Sequence, residues 1–121
     1  MNTDEIVTAY GAAWNEHDDA KRAALLEHSW ADSGLYTDPT ATAMGRDALI
    51  AHIGGFHQTM PGHTIDLASG VDTYGGCFRF AWVMRKGNEA VLEGMDFGEL
   101  APDGRISRIV GFFGPFPALN Q

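Results

Sequence analysis

Asp96 is the residue whose sequence surroundings point most directly to chemistry. It lies between Met95 and Phe97 in an apolar stretch. In a strand it would share one face with Gly94 and Gly98, and two glycines would leave open space around the carboxyl group. A buried acid without a partner is costly, so an inward-facing Asp96 is expected to be protonated or paired, and could then act as a donor. The alternative is an acid on the solvent face with no role, because acids are mostly exposed.

Tyr10 and Asp38 are the other two polar residues that could do chemistry. Tyr10 lies on the apolar face of the first predicted helix, so its hydroxyl group needs a partner if it is buried. A structural bond to the backbone explains that tyrosine as well as a catalytic role does. Asp38 precedes Pro39, and Asp-Pro is ordinary turn chemistry, so Asp38 taken alone favours a structural role.

Three helices are predicted in the first half of the chain to position these groups. The first begins with Thr3 as its N-cap, and a polar break at 15–19 separates it from a second helix that ends near Trp30. The third covers 45–60 and is stopped by Pro61. The apolar residues of each helix recur at helical spacing, which predicts one buried face per helix.

Strands are predicted at 35–38, where Pro39 ends the strand, and then throughout the second half, where the apolar period changes to two. Glycine-containing turns divide the second half into strands at 63–74, 78–85, 90–100 and 106–113. This order predicts a single α+β domain over 1–121. Three helices should cover the concave face of a strongly curved, mostly antiparallel sheet around an apolar cavity.

Composition narrows the class of protein. Of 121 residues, 45% are hydrophobic, which is enough for a real core, and the formal net charge is −8. That charge argues against nucleic acid and against an anionic membrane as partners. Cys77 is the one cysteine, so no intramolecular disulfide can form. No signal peptide or membrane-length apolar run is recognised, and a cytoplasmic protein is expected.

Short motifs over almost the whole chain resemble one known group of proteins. They are YGAAWN at 10–15, WADSGLYTDP at 30–39, GRDA at 45–48, MDF at 95–97 and DGRI at 103–106. Together they resemble the nuclear transport factor two-like (NTF2-like) superfamily, and more closely its branch of ketosteroid isomerases and SnoaL-like polyketide cyclases. The resemblance implies the cone-shaped α+β fold of that superfamily.

The resemblance also implies roles for the three polar residues. Ketosteroid isomerases use the matching tyrosine and a neutral matching aspartate, here Tyr10 and Asp96, to stabilise the oxyanion of the substrate. The aspartate of the Asp-Pro motif, here Asp38, removes a proton next to the carbonyl group. In SnoaL-like cyclases the aspartate at the position of Asp96 serves as acid and base. The expected protein is a cofactor-free isomerase or cyclase acting on a small hydrophobic carbonyl compound.

The remaining expectations concern the histidines and the cavity wall. Metal binding is not expected, because the five histidines lack the spacing of metal ligands. The sequence leaves open whether His52 or His57 faces the cavity. Apolar side chains in the helices and in the last strands are the candidates for binding the ligand. These are Trp14, Phe56, Met60, Trp82, Met84, Met95, Phe112 and Phe113.

Two other functions stay open, and one assembly is expected. The chain could be a non-catalytic ligand-binding or dimerisation module in which Asp38 and Asp96 are structural. Epoxide hydrolysis would need an arginine between two acids, and Arg79 is the one candidate, although its strand phase opposes that of Phe80. Because both faces of 78–83 are largely apolar, a homodimer through the outer face of the sheet is expected.

Overall fold

The computed structural model describes residues 2–120. Its helices are α1 (Thr3–Asn15), α2 (Asp19–Ser29) and α3 (Arg46–Thr59). Its strands are β1 (Trp30–Asp38), β2 (Ala41–Met44), β3 (His63–Leu67), β4 (Asp72–Tyr74), β5 (Cys77–Lys86), β6 (Glu89–Leu100) and β7 (Ile106–Phe113). Within this described part, no helix has the length and apolar character needed to cross a membrane.

Side-chain caps set the starts of α1 and α2. Asn2, rather than the predicted Thr3, caps α1: its Oδ1 accepts a bond of 2.8 Å from the Glu5 backbone, and the Glu5 carboxylate accepts one of 3.1 Å from the Asn2 backbone. This reciprocal pair satisfies two backbone donors at the helix start. Asp18 caps α2 by accepting from the Lys21 backbone at 2.9 Å.

The sheet is mixed, with strand order β2-β1-β7-β6-β5-β3 and with β4 also paired to β5. Every pairing is antiparallel except that of β1 with β7. The prediction of three helices on a curved, mostly antiparallel sheet is confirmed. Alternate residues of β5 (Phe78, Phe80, Trp82 and Met84) join the helices in one buried cluster, so the helices pack on the concave face.

The strand predictions were least accurate where pairing is irregular. β1 begins at Trp30, five residues before the predicted start at 35. The register of β1 against β7 shifts between Trp30 and Leu35, and this shift breaks the alternation of apolar residues that would have revealed the strand. The hairpin strand β2 was not predicted. The predicted strand 63–74 is two strands, β3 and β4, joined by a loop. In this loop a side chain replaces the strand backbone as the hydrogen-bond partner of β5, because the Ser69 hydroxyl accepts from the Ala81 backbone N–H at 2.8 Å.

Candidate active site

A cavity of about 690 Å³ lies between the helices and the concave face of the sheet. This is the size and mainly apolar character typical of small-molecule sites. Nine of the eleven residues predicted for the site line it: Tyr10, Trp14, Asp38, Phe56, Met60, Trp82, Met84, Asp96 and Phe113. Residues from two helices and four strands therefore meet at one cavity.

Asp96 lies on the concave face of β6 and is only 6% exposed, so the alternative of a solvent-facing acid is wrong. The indole Nε1 of Trp82 donates to Asp96 Oδ1 at 3.0 Å. Burial raises the pKa of Asp96 to about 7, against the opposing effect of that hydrogen bond, and the negative charge of Asp38 adds to the rise. A carboxyl group with a pKa near neutrality can both accept and return a proton.

The sequence predicted open space around the Asp96 carboxyl group at Gly94 and Gly98, but aromatic rings fill both positions. Pairing sets Trp82 opposite Gly94 and Phe78 opposite Gly98. The two rings lie so close to these glycines that a Cβ at either position would overlap them. Gly94 and Gly98 therefore make room for aromatic rings, and Gly94 allows the Trp82 ring to lie where its Nε1 reaches the carboxyl group.

Asp38 lies at the end of β1, half-buried, with both carboxylate oxygens engaged. Oδ1 accepts from the Thr40 backbone and hydroxyl, both at 2.7 Å, and from the Ala41 backbone at 3.0 Å. Oδ2 accepts from the Tyr36 hydroxyl at 2.5 Å. Burial acts to raise the pKa of Asp38, but these donors and the nearby His52 outweigh it and hold the pKa below its usual value. Asp38 is thus both a turn residue and an ionised group at the cavity.

Tyr10 of α1 is buried and stacks on Trp30, with ring centroids 5.6 Å apart. Among residues 2–120 its hydroxyl group finds no well-formed hydrogen-bond partner. Burial raises the pKa of Tyr10 well above its usual value, and Asp96 and Asp38 act in the same direction, while Trp14 opposes them. Tyr10 therefore offers a neutral, unused donor at the cavity wall, which is unusual for a buried polar group.

Two residues of the site were missed as candidates or left undecided. Tyr36 precedes Asp38 by two positions, so both side chains lie on one strand face, and that spacing could have revealed it. Burial raises the pKa of Tyr36 far above its usual value, so it stays a neutral donor. His52 lines the cavity, 5.5 Å from the Tyr36 ring. His57 does not, and its Nε2 donates to the Trp14 carbonyl group at 2.7 Å.

Three sequence-based candidates lie on the opposite face of the sheet. Met95 and Phe112 pair with each other across β6 and β7, one residue out of phase with Asp96, so the prediction that they line the cavity is wrong. Arg79 also points away from the cavity and donates to Asp72 at 2.9 Å. An arginine between two acids is therefore missing from the described cavity lining, which removes the basis for epoxide hydrolysis.

A family model described as the SnoaL-like domain matches residues 7–109. The chain belongs to the SnoaL-like family. Among curated proteins, none matches this SnoaL-like chain.

Solved structures agree with the SnoaL-like assignment. A protein from Agrobacterium tumefaciens, named provisionally as an isomerase of the SnoaL-like family, is 34% identical with a TM-score of 0.86; the match covers 91% of this chain and 95% of that one. A protein from Sinorhizobium meliloti, named provisionally as a polyketide cyclase, is 17% identical with a TM-score of 0.69, covering 88% and 92%. An NTF2-like protein of unknown function from Cytophaga hutchinsonii is 10% identical with a TM-score of 0.72, covering 95% and 92%. The last two show a shared fold.

Proposed function

We propose that this SnoaL-like protein is a cofactor-free enzyme that transfers a proton next to the carbonyl group of a small hydrophobic substrate, as an isomerase or cyclase does. One observation carries the proposal: Asp96 is a carboxyl group buried in the lining of a mainly apolar cavity, where burial raises its pKa to about 7. The names of the relatives from A. tumefaciens and S. meliloti point to the same two reaction classes.

Asp96 is the proposed proton carrier. Trp82 bonds its Oδ1, and in the described chain Oδ2 has no hydrogen-bond partner, so Oδ2 is the oxygen left for the substrate. Taking a proton from carbon creates negative charge on the carbonyl oxygen. The unused hydroxyl group of Tyr10 can donate to that oxygen and stabilise its negative charge.

Asp38 is proposed as a fixed negative charge rather than as the principal base. Four hydrogen bonds favour its ionised form, and a carboxylate whose pKa is lowered is a weaker base. Its charge raises the pKa of Asp96. The resemblance to ketosteroid isomerases assigns the base to Asp38 instead, so the two assignments predict different mutants to be inactive.

The test is deuterium exchange at the carbon next to the carbonyl group of uncharged cyclic ketones such as 2-tetralone, followed by proton NMR in heavy water near neutral pH. We expect exchange with the wild-type chain and a loss of about 100-fold or more in Asp96→Asn, the usual effect of removing a general acid–base group. The matched control is Asp66→Asn, which alters a third carboxyl group of the same cavity lining and should leave the rate unchanged.

The outcomes separate the alternatives. If Asp38→Asn abolishes exchange while Asp96→Asn keeps it, the base is Asp38 and the present assignment is wrong. If the wild-type chain catalyses no exchange on any ketone but binds them, the enzyme proposal is wrong and a ligand-binding module is the better description.

We also propose a homodimer through the outer face of the sheet. This face carries apolar side chains on three adjacent strands, with Ala81 beside Met95, Met95 beside Phe112, and Phe97 beside Val110. Phe112 is 55% exposed. A continuous apolar surface of this kind on a small domain favours cover by another protein surface, here a second copy of the chain.

A further inference from the structure

Asp38 places a negative charge in the cavity lining that no cation among residues 2–120 balances. Its four hydrogen bonds come from uncharged donors, two backbone amides and the hydroxyl groups of Tyr36 and Thr40. Although burial opposes them, these donors hold the pKa of Asp38 below its usual value, so the group is ionised at neutral pH. His52 lies nearby but forms no ion pair with Asp38, and the described lining contains neither lysine nor arginine.

The other two carboxyl groups of the lining differ from Asp38 in this respect. Asp66 has a cationic partner, because Arg85 Nε lies 3.8 Å from Asp66 Oδ2. Asp96 carries at most a partial charge at neutral pH, since burial raises its pKa to about 7. The unbalanced charge is therefore that of Asp38. In a mainly apolar cavity such a charge is screened less than it is in water, and it favours a positively charged ligand.

The hydrogen bonds of Asp38 also decide which kind of cation fits. Metal ions and ammonium N–H groups both bind to the lone pairs of carboxylate oxygens. A carboxylate offers about four such acceptor sites, and Asp38 already accepts four hydrogen bonds. A quaternary ammonium group has no N–H donor and needs only the negative charge. It is therefore the cation that suits Asp38 best.

Aromatic rings line the cavity next to Asp38. Tyr36, whose hydroxyl group donates to Asp38, lies 5.6 Å from Trp14 between ring centroids. Phe56 lies 5.7 Å from Trp14, with the two ring planes at 74°. All three rings belong to the cavity lining. Ring faces attract cations within about 6 Å, and several rings set at steep angles form the aromatic cages that hold quaternary ammonium groups. The rings thus favour the same kind of ligand independently of the charge.

We propose that Trp14, Tyr36, Asp38 and Phe56 form an ammonium site, which binds a quaternary ammonium group of the ligand. The proposal rests on the proposed function and narrows its substrate class: the substrate carries a carbonyl group for Asp96 and a permanent positive charge for Asp38. In the sheet only β7 separates the strands of these two carboxyl groups, so one small molecule can contact both. The same charge disfavours anionic substrates such as carboxylic acids and phosphorylated compounds.

The experiment compares two ligands of the same shape, phenyltrimethylammonium and its uncharged counterpart tert-butylbenzene, by tryptophan fluorescence titration near neutral pH and at low salt. Asp38→Asn should weaken binding of the cation about 10-fold or more relative to binding of the uncharged ligand, because only the cation loses a charge–charge attraction. Asp66→Asn is the matched control, since Asp66 lines the same cavity but faces Arg85. It should leave the ratio of the two affinities close to that of the wild-type chain, and circular dichroism checks that each variant is folded.

A second measurement covers the case in which Asp38→Asn fails to fold. In the wild-type complex, nuclear Overhauser effects should join the N-methyl protons of the cation to ring protons of Trp14 and Tyr36. An equal effect of Asp38→Asn on both ligands, no contact with these rings, or no binding of the cation at millimolar concentration would overturn the proposal.

Phenyltrimethylammonium has no carbonyl group, so its binding does not depend on catalysis. Exchange of ketones without binding of the cation would overturn the ammonium site alone. Binding of the cation without exchange of any ketone would overturn the proposed enzyme activity and leave the ammonium site standing.

Discussion

The titration of Asp96 should be visible in the stability of the fold, and Asp96→Asn is the variant that reveals it. An aspartate in an unfolded chain titrates near 3.8, whereas burial raises the pKa of Asp96 in the fold to about 7. The folded state therefore binds this proton more tightly than the unfolded state does. The stability contributed by protonated Asp96 is fully present below pH 3.8 and is lost as the pH rises through 7.

The magnitude follows from the two pKa values. A ten-fold difference in proton affinity is worth about 1.4 kcal/mol, so the loss between pH 4 and pH 8 should be about 4 kcal/mol. Little of this should be screened by solvent, because Asp96 is only 6% exposed. Asparagine has nearly the same volume, keeps an oxygen that can accept from Trp82, and does not titrate.

The assay is urea unfolding of wild-type and Asp96→Asn chains, followed by tryptophan fluorescence at several pH values between 4 and 8. Other titrating groups are common to both chains and largely cancel in the difference. The variant should be close to the wild-type chain at pH 4 and become more stable than it by several kcal/mol at pH 8. A difference that stays constant with pH would refute the argument that burial raises the pKa of Asp96.

Two further predictions follow from the contacts of the same sheet. Trp82→Phe removes the indole donor 3.0 Å from Asp96 and should raise the pKa of Asp96 further, because that hydrogen bond favours the ionised form. Carboxyl carbon NMR measures this pKa, and an unchanged or lower value would contradict the role given to the indole. Phe112→Glu places a charge on the outer face and should convert a homodimer to a monomer in light scattering, whereas a wild-type chain that is already monomeric at micromolar concentration would rule the homodimer out.

Much of the fold could be predicted because apolar residues recur at a regular spacing along most helices and strands. The change to a period of two predicted β5 to within one residue at each end, and every second residue from Phe78 to Met84 is buried. The same reasoning failed for β1, where a register shift breaks the alternation. It also missed β2, a strand of four residues directly after the turn at Pro39, which is too short to show a period.

The candidate site was predictable as a set of residues but not as a set of contacts. Tyr10, Asp38 and Asp96 were named from motifs and from their places in apolar patterns, and all three line one cavity. The Trp82 bond to Asp96 depends on strand register and on the glycine beneath the ring, neither of which a single sequence specifies. The open space predicted beside Gly94 and Gly98 is filled by the Trp82 and Phe78 rings, because cross-strand pairing decides which side chain covers each glycine.

The central claim is that a carboxyl group at the floor of the cavity titrates near neutrality. Carbon NMR of the wild-type chain labelled at the aspartate carboxyl carbons, with Asp96→Asn to assign the signal, measures it directly. We expect the Asp96 signal to titrate with a midpoint near 7. A midpoint near 4 would contradict the account, because burial would then not raise the pKa of Asp96, and its carboxylate would be a weaker base than the one proposed.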